Sequence, residues 1–251
     1  MPSITVFPDK TSWTAGAAEF LLEQANTALA QRGRWTVALA GGNTPRPVYE
    51  LLATPDYTDR LLDWSRVFVF FSDERCVPPA DARSNYAMAR AALLDRVPLP
   101  AANVLRMAGE DDPAQAAFAY EQALQHFFRT PAPVFDLICL GLGDNGHTAS
   151  LFPGTASLRE RNHAIAAQYV EVMQSWRLTM TLPLINAARH VAFLVEGAGK
   201  AAVVQQVQHG AYQPDVLPAQ LIQPQPGQLH WLLDAAAAGA SNSQRYSEKT
   251  R

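Results

Sequence analysis

Four largely apolar runs, at Trp35–Ala40 (interrupted only by Thr36), Val67–Phe71, Leu137–Leu140 and Val191–Val195, punctuate the chain, and each soon gives way to glycine or charge. Short runs with no polar face predict strands covered on both sides by helices, as in a parallel sheet. Ile4–Phe7 and Leu229–Leu233 read as further strands, Leu178–Leu182 as a weakly alternating one behind Arg177, and Asn103–Met107 as another candidate. Helical spacing lies between them. Ala18, Leu21, Leu22, Ala25 and Leu29 recur on one face of a helix that Ser12 is placed to cap. Ala117, Tyr120, Leu124 and Phe128 do the same within Pro113–Phe128, where the aromatics read as core. Further helices are expected from Pro47, from Ser84-Asn85 through Leu94, over Pro183–Ala188 and over Ala201–Val207. Strands alternating with helices predict an α/β fold, a doubly wound, mostly parallel sheet with helices on both faces, in a single domain. That domain is expected to span residues 1–240, with 241–251 a polar tail expected to be disordered.

Composition removes several function classes. With 48% hydrophobic and 17% charged residues, the 251-residue chain is an ordinary globular protein. A net charge of −3 gives no electrostatic footprint for nucleic acid or an anionic membrane, so an anionic ligand must be met by a few local cations. Two cysteines, Cys76 and Cys139, are too few for a disulfide framework, and a reducing cytoplasm is the expected setting. No basic leader precedes an apolar segment and no run of 18 apolar residues occurs, so neither export nor membrane spanning is expected.

Candidate chemistry gathers where strands end. After Leu140 come Gly141, Gly143 and Gly146 and then His147, the only side chain of this loop that titrates near neutrality. Ligands of open α/β sheets sit outside the carboxyl ends of the strands, which places His147 at a site. A histidine that merely ties the loop down is the alternative. Gly41-Gly42-Asn43-Thr44-Pro45 lies between a strand and a helix start, an arrangement that offers backbone N–H groups to an anion. Ser72-Asp73-Glu74-Arg75 puts charge at a third strand end, although Arg75 could simply pair with its neighbours. Lys200 follows a glycine turn in a chain with only three lysines against seventeen arginines. The dinucleotide fingerprint, the Walker motif, the Gly-x-Ser-x-Gly elbow and His-Glu-x-x-His are all missing.

Several stretches together resemble the 6-phosphogluconolactonase family: AGGNTP at 40–45, SDERCVP at 72–78 with Ser84-Asn85, GLGDNGHTASLFPG at 141–154 and RLTMTLP at 177–183. The resemblance implies hydrolysis of 6-phospho-D-glucono-1,5-lactone without metal or cofactor, on a sheet like that of glucosamine-6-phosphate deaminases. It implies a small-molecule sugar-phosphate lactone as partner, with no nucleic acid and no membrane, and a monomer or small homo-oligomer. His147 becomes the expected general base, with Arg75 on the developing charge or the sugar hydroxyls and Asp73 orienting Arg75. Gly42, Asn43, Thr44, Arg177 and Lys200 form the expected phosphate clamp, and Gly143, Asn145 and Gly146 shape the histidine loop. Two positions depart from the family: Asn43 stands where serine is usual, and Asn145 where aspartate is frequent. An amino-sugar-phosphate deaminase or isomerase and a non-catalytic sugar-phosphate-binding protein are the alternatives. Against the first, Arg75 stands where the deaminases have tyrosine and Ser-Leu-Phe-Pro replaces their Phe-Asn-Glu-Pro. Against the second, neither length nor charge leaves room for a DNA-binding segment.

Overall fold

A computed structural model describes residues 2–239, so the tail expected at 241–251 lies outside the described residues. Nine strands occur among them: β1 (Ser3–Phe7), β2 (Trp35–Leu39), β3 (Val67–Phe71), β4 (Asp73–Arg75), β5 (Leu137–Leu140), β6 (Ile165–Val170), β7 (Ser175–Met180), β8 (His190–Val195) and β9 (Gln228–Asp234). The helices are α1 (Lys10–Arg32), α2 (Arg46–Leu52), α3 (Pro55–Thr58), α4 (Asn85–Ala89, continued by a wider turn to Leu94), α5 (Pro113–Phe128), α6 (Leu182–Asn186) and α7 (Ala201–His209). Six strands form an all-parallel sheet in the order β1-β9-β8-β5-β2-β3, and β4-β7-β6 form a small antiparallel sheet beside it, within one domain. Among the described residues no helix is long and apolar enough to cross a membrane.

Burial explains why the central strands do not alternate. Every residue of β2 and β5 is buried, but successive side chains enter different cores. Val37, Leu39, Leu137 and Cys139 pack with α1 and α2, whereas Ala38, Ile138 and Leu140 pack with α5, α6 and α7. Trp13 of α1 donates its indole N–H to the carbonyl of Leu232 at 2.8 Å, pinning that helix to β9.

Three local expectations change. Asp9, not Ser12, caps α1: its carboxylate accepts the Ser12 N–H at 2.8 Å, which places Ser12 inside the first turn. Asn103–Met107 is not a strand. It makes one bridge, Val104 with Val69, and its buried Met107 is held by core packing instead of a ladder. The strand and helix expected at Leu178–Leu182 and Pro183–Ala188 begin earlier, as β7 and α6, so Arg177 lies inside a strand.

Topology fixes the position of the site. β2 and β5 are neighbours, yet β2 is followed outward by β3 and β5 by β8 in the opposite direction, so the winding reverses between them. Such a switch point leaves a crevice at the carboxyl ends. The loops that open there are Gly41–Pro45 after β2 and Gly141–Thr148 after β5. Ser72 hinges the two sheets: its N–H reaches Leu39 O at 3.0 Å and its carbonyl accepts the Met180 N–H at 2.9 Å. The small sheet thereby overhangs the crevice.

Candidate active site

A cleft of about 220 Å³ opens at that switch point, lined by three converging segments. The first follows β2. A Cβ on Gly41 would fall 1.9 Å from the Asn85 amide oxygen, so the close approach of Asn85 demands glycine, and Gly42 takes φ 87°, which only glycine adopts freely. Asn43 and Thr44 complete this wall, and no side chain caps the start of α2 behind them.

The second segment carries the histidine. Gly143 donates its N–H to the His147 carbonyl at 2.8 Å, and its missing side chain makes room for the ring, since a Cβ would lie 2.0 Å from the imidazole. Gly146, at φ 75°, turns the chain back with its N–H on the Gly143 carbonyl at 2.9 Å. The imidazole stacks on Phe152, with centroids 4.0 Å apart and planes 17° apart. Asn145 Oδ1 lies 2.6 Å from His147 Nδ1 and also accepts the His147 backbone N–H at 3.3 Å. A backbone N–H can only donate, so the shared atom is an acceptor and Nδ1 carries the ring proton. The neutral ring is left with its lone pair on Nε2. Burial, above all, pushes the imidazole down to about 4, with Lys200 and Arg177 acting the same way against Asp73 and Asp144.

The third segment is the small sheet. Asp73 faces Thr179 and Arg75 faces Arg177, so these four side chains share one face by the two-residue period of a strand. Asp73 is buried and accepts from Asn85 Nδ2 at 3.0 Å and from Ser150 Oγ at 2.7 Å. It therefore does not orient Arg75, contrary to the role expected for it. Arg75 instead donates through Nη1 to the Arg83 carbonyl, and the Nε atoms of Arg75 and Arg177 are both buried without a partner. Glu74 points the other way. It accepts from the N–H groups of Arg75, Asn85 and Tyr86 and from Ser84 Oγ, which anchors α4 and hence Asn85, while burial pushes its carboxyl up.

The cleft thus gathers Gly42, Asn43, Thr44, Asp73, Arg75, Gly143, His147 and Arg177. Lys200 is not part of its lining. It precedes α7 and binds Asp144 of the histidine loop, a contact that holds the Asp144 carboxyl down. Asn85, Ser150 and Phe152 are contributors the sequence reading passed over; Phe152 and Ser150 lie within the His147 motif but carry no titratable signal, and Asn85 reaches the cleft only through the packing of α4. No group of three His, Cys, Asp or Glu placed to hold a metal occurs among the described residues.

Comparison with known proteins gives this arrangement a family. The profile described as Glucosamine-6-phosphate isomerases/6-phosphogluconolactonase matches residues 8–231. The chain belongs to this family. A 6-phosphogluconolactonase of Nostoc sp. is 43% identical over 239 residues, covering 94% of this chain and 96% of that protein. One from Synechocystis sp. is also 43% identical, over 94% of this chain and 97% of its own. The solved 6-phosphogluconolactonase of Trypanosoma brucei superimposes with a TM-score of 0.84 at 28% identity, covering 95% of this chain and 98% of that one.

Proposed function

We propose that the protein is a hydrolase that opens 6-phospho-D-glucono-1,5-lactone to 6-phospho-D-gluconate, the lactone step of the oxidative pentose phosphate pathway. The observation that carries this reading is a neutral histidine, with its Nε2 lone pair free, in one cleft with two arginines that lack carboxylate partners.

A lactone is an activated ester, so the site need only deliver water and stabilise an oxyanion. Nε2 of His147 takes a proton from water as the water oxygen bonds to C1. Negative charge grows on the former carbonyl oxygen, where Arg75 meets it in a partly dry cleft. The C1–ring oxygen bond then breaks, and the imidazolium returns its proton to the departing ring oxygen. The resulting carboxylic acid ionises to gluconate. No redox step or external group is required. Arg177 and the backbone N–H groups of Gly42, Asn43 and Thr44 hold the 6-phosphate, and Lys200 joins them by exchanging Asp144 for the phosphate. Asp73, fixed by Asn85 and Ser150, keeps a negative charge near the imidazolium that forms in the reaction and accepts a sugar hydroxyl.

Every group in this scheme comes from one chain, so a monomer is competent. A reducing cytoplasm suits the two free cysteines, Cys76 and Cys139. The deciding experiment follows the loss of freshly generated 6-phosphogluconolactone against its spontaneous rate. Catalysed loss is expected; a rate equal to the spontaneous one would refute the assignment.

A further inference from the structure

The pole of the sheet opposite the glycine loops carries a second cleft, of about 370 Å³, at the amino ends of β2 and β5. Arg32, Arg34 and Arg189 line it with Thr36, Val134 and Asp136. Asp136 is the only carboxylate of that lining, and its oxygens are already committed. Oδ1 accepts from Arg32 Nε at 2.7 Å, and Oδ2 accepts from the Thr36 N–H at 2.8 Å and the Thr36 hydroxyl at 2.9 Å. Arg189 Nε stays 3.6 Å from Oδ1, beyond hydrogen-bonding range. Three guanidinium charges therefore meet one carboxylate, on a chain whose net charge is −3.

Arg34 sharpens the imbalance. Its guanidinium lies 5.0 Å from the Phe127 ring centroid and 5.7 Å from that of Phe128, and it has no hydrogen-bond or ion-pair partner among the described residues. These cation–π contacts hold the guanidinium beside the two rings while leaving its N–H donors unspent. Arg32 is fixed as well, by Asp136 and by Gln31 Oε1 at 3.0 Å. Two positively charged forks, Arg34 and Arg189, thus keep donors available beside a third that is locked in place. The surplus of about two positive charges matches a phosphate group, which carries about −1.5 to −2 near neutrality.

We propose that this cleft is a second anion site that binds a small phosphate group, free or as a monoester, with Arg34 and Arg189 as the donating forks and Arg32 as the fixed third charge. It is independent of the catalytic cleft, from which it is separated by the length of β2 and β5. Those two strands start here and end in the glycine loops, and Asp136 and Thr36 cross-link their amino ends. An anion bound here ties the same two strands together from the other pole.

The test uses inorganic phosphate as the probe and a host in which Arg75→Gln and Arg177→Gln have taken both arginines out of the catalytic cleft and so weakened anion binding there. Calorimetry on that host should still detect phosphate binding, and adding Arg34→Gln and Arg189→Gln should weaken it by roughly tenfold or more, the usual effect of losing charge-assisted hydrogen bonds. Arg34→Gln with Arg189→Gln in the otherwise wild-type chain should keep the lactone turnover, which reports an intact fold. On the wild type itself, phosphate should protect Arg34 and Arg189 from phenylglyoxal, read peptide by peptide by mass spectrometry. Absence of binding in the host, binding indifferent to the two substitutions, or equal labelling with and without phosphate would each overturn the proposal.

Discussion

Arg75 and Arg177 stand directly opposite each other in the antiparallel pairing of β4 with β7, each with its Nε buried and unpartnered. Like charges at facing positions of a sheet repel, and burial costs both. Desolvation first and then the charge of Arg75 lower the affinity of Arg177 for its proton. The nearest acid on the same face, Asp73, is held by Asn85 and Ser150. Such a pair makes sense in a cleft that receives a negatively charged ligand.

Arg177→Gln should therefore separate stability from binding. Removing one charge of a repelling pair leaves the ligand-free melting temperature unchanged or raises it, whereas affinity for 6-phosphogluconate falls by roughly tenfold or more. The Michaelis constant rises with little change in turnover, because a phosphate remote from C1 is held about equally in ground and transition states. In the wild type, 6-phosphogluconate should raise the melting temperature through mass action. A variant that melts lower yet binds product normally would assign Arg177 to the fold instead.

His147→Ala should lower turnover by roughly 10²–10⁴-fold, the usual contribution of a positioned acid–base group. Circular dichroism should show an intact fold, because the ring packs against Gly143 and Phe152 at the edge of the cleft and outside the central sheet. Near wild-type turnover in a folded variant would remove His147 from the mechanism.

The parallel sheet was legible because each central strand is buried on both faces, so its apolar run has no competing reading. The small sheet was not. Asp73–Arg75 looks like a solvated loop because its charged face is turned to a ligand cleft, and the ladder that makes it a strand lies about a hundred residues away in β7. Ile165–Val170, half buried and closed by a turn at Glu171–Met173, gave no clear period either. Among site residues, glycines and titratable side chains announced themselves, but Lys200 enters the expected clamp through its glycine turn and the family resemblance, and its partner Asp144 depends on how two distant loops meet. Phe152 was hidden because an aromatic in an apolar motif reads as core.

Acid dependence follows from His147. Its ordinary value of 6.5 is pushed down to about 4 by burial, so the base form persists on acidification and the acidic limb of kcat/KM should fall near 4. His230 is pushed down to about 4 for the same reason, reinforced by His190. Between 6.5 and about 4 the unfolded chain binds protons that the folded chain refuses, so stability is full above 6.5 and declines as pH falls through that window. Denaturant titrations at stepwise pH should show this slope, and its loss in the His230→Phe variant would identify one source. Asn145→Asp places a carboxylate on the Nδ1 proton, favours the imidazolium and should move the acidic limb upward. An unmoved limb would exclude Asn145 from tuning the histidine. Asn145 also bears on the deaminase alternative, for an amide exchanges no proton: the wild type should release no ammonia from glucosamine 6-phosphate.

Phe152 supplies the other half of the histidine's environment. Asn145 fixes one edge of the imidazole, and the stacked ring at 4.0 Å fixes its plane and removes water from one face. If burial is the main reason the imidazole is so weakly basic, as its depressed value indicates, thinning that wall must raise it. Phe152→Leu keeps an apolar side chain in a buried position while abolishing the flat face. We expect turnover to fall, because the ring loses its fixed attack angle, with the Michaelis constant nearly unchanged, since Phe152 is apolar and offers no hydrogen bond to the phosphate. The acidic limb should move from about 4 toward 6.5 as solvent reaches the ring. Phe152→Tyr, which restores a stacking face, should recover both. Turnover that drops in Phe152→Leu while the limb stays put, or that Tyr fails to rescue, would make Phe152 a packing residue whose loss simply loosens the loop.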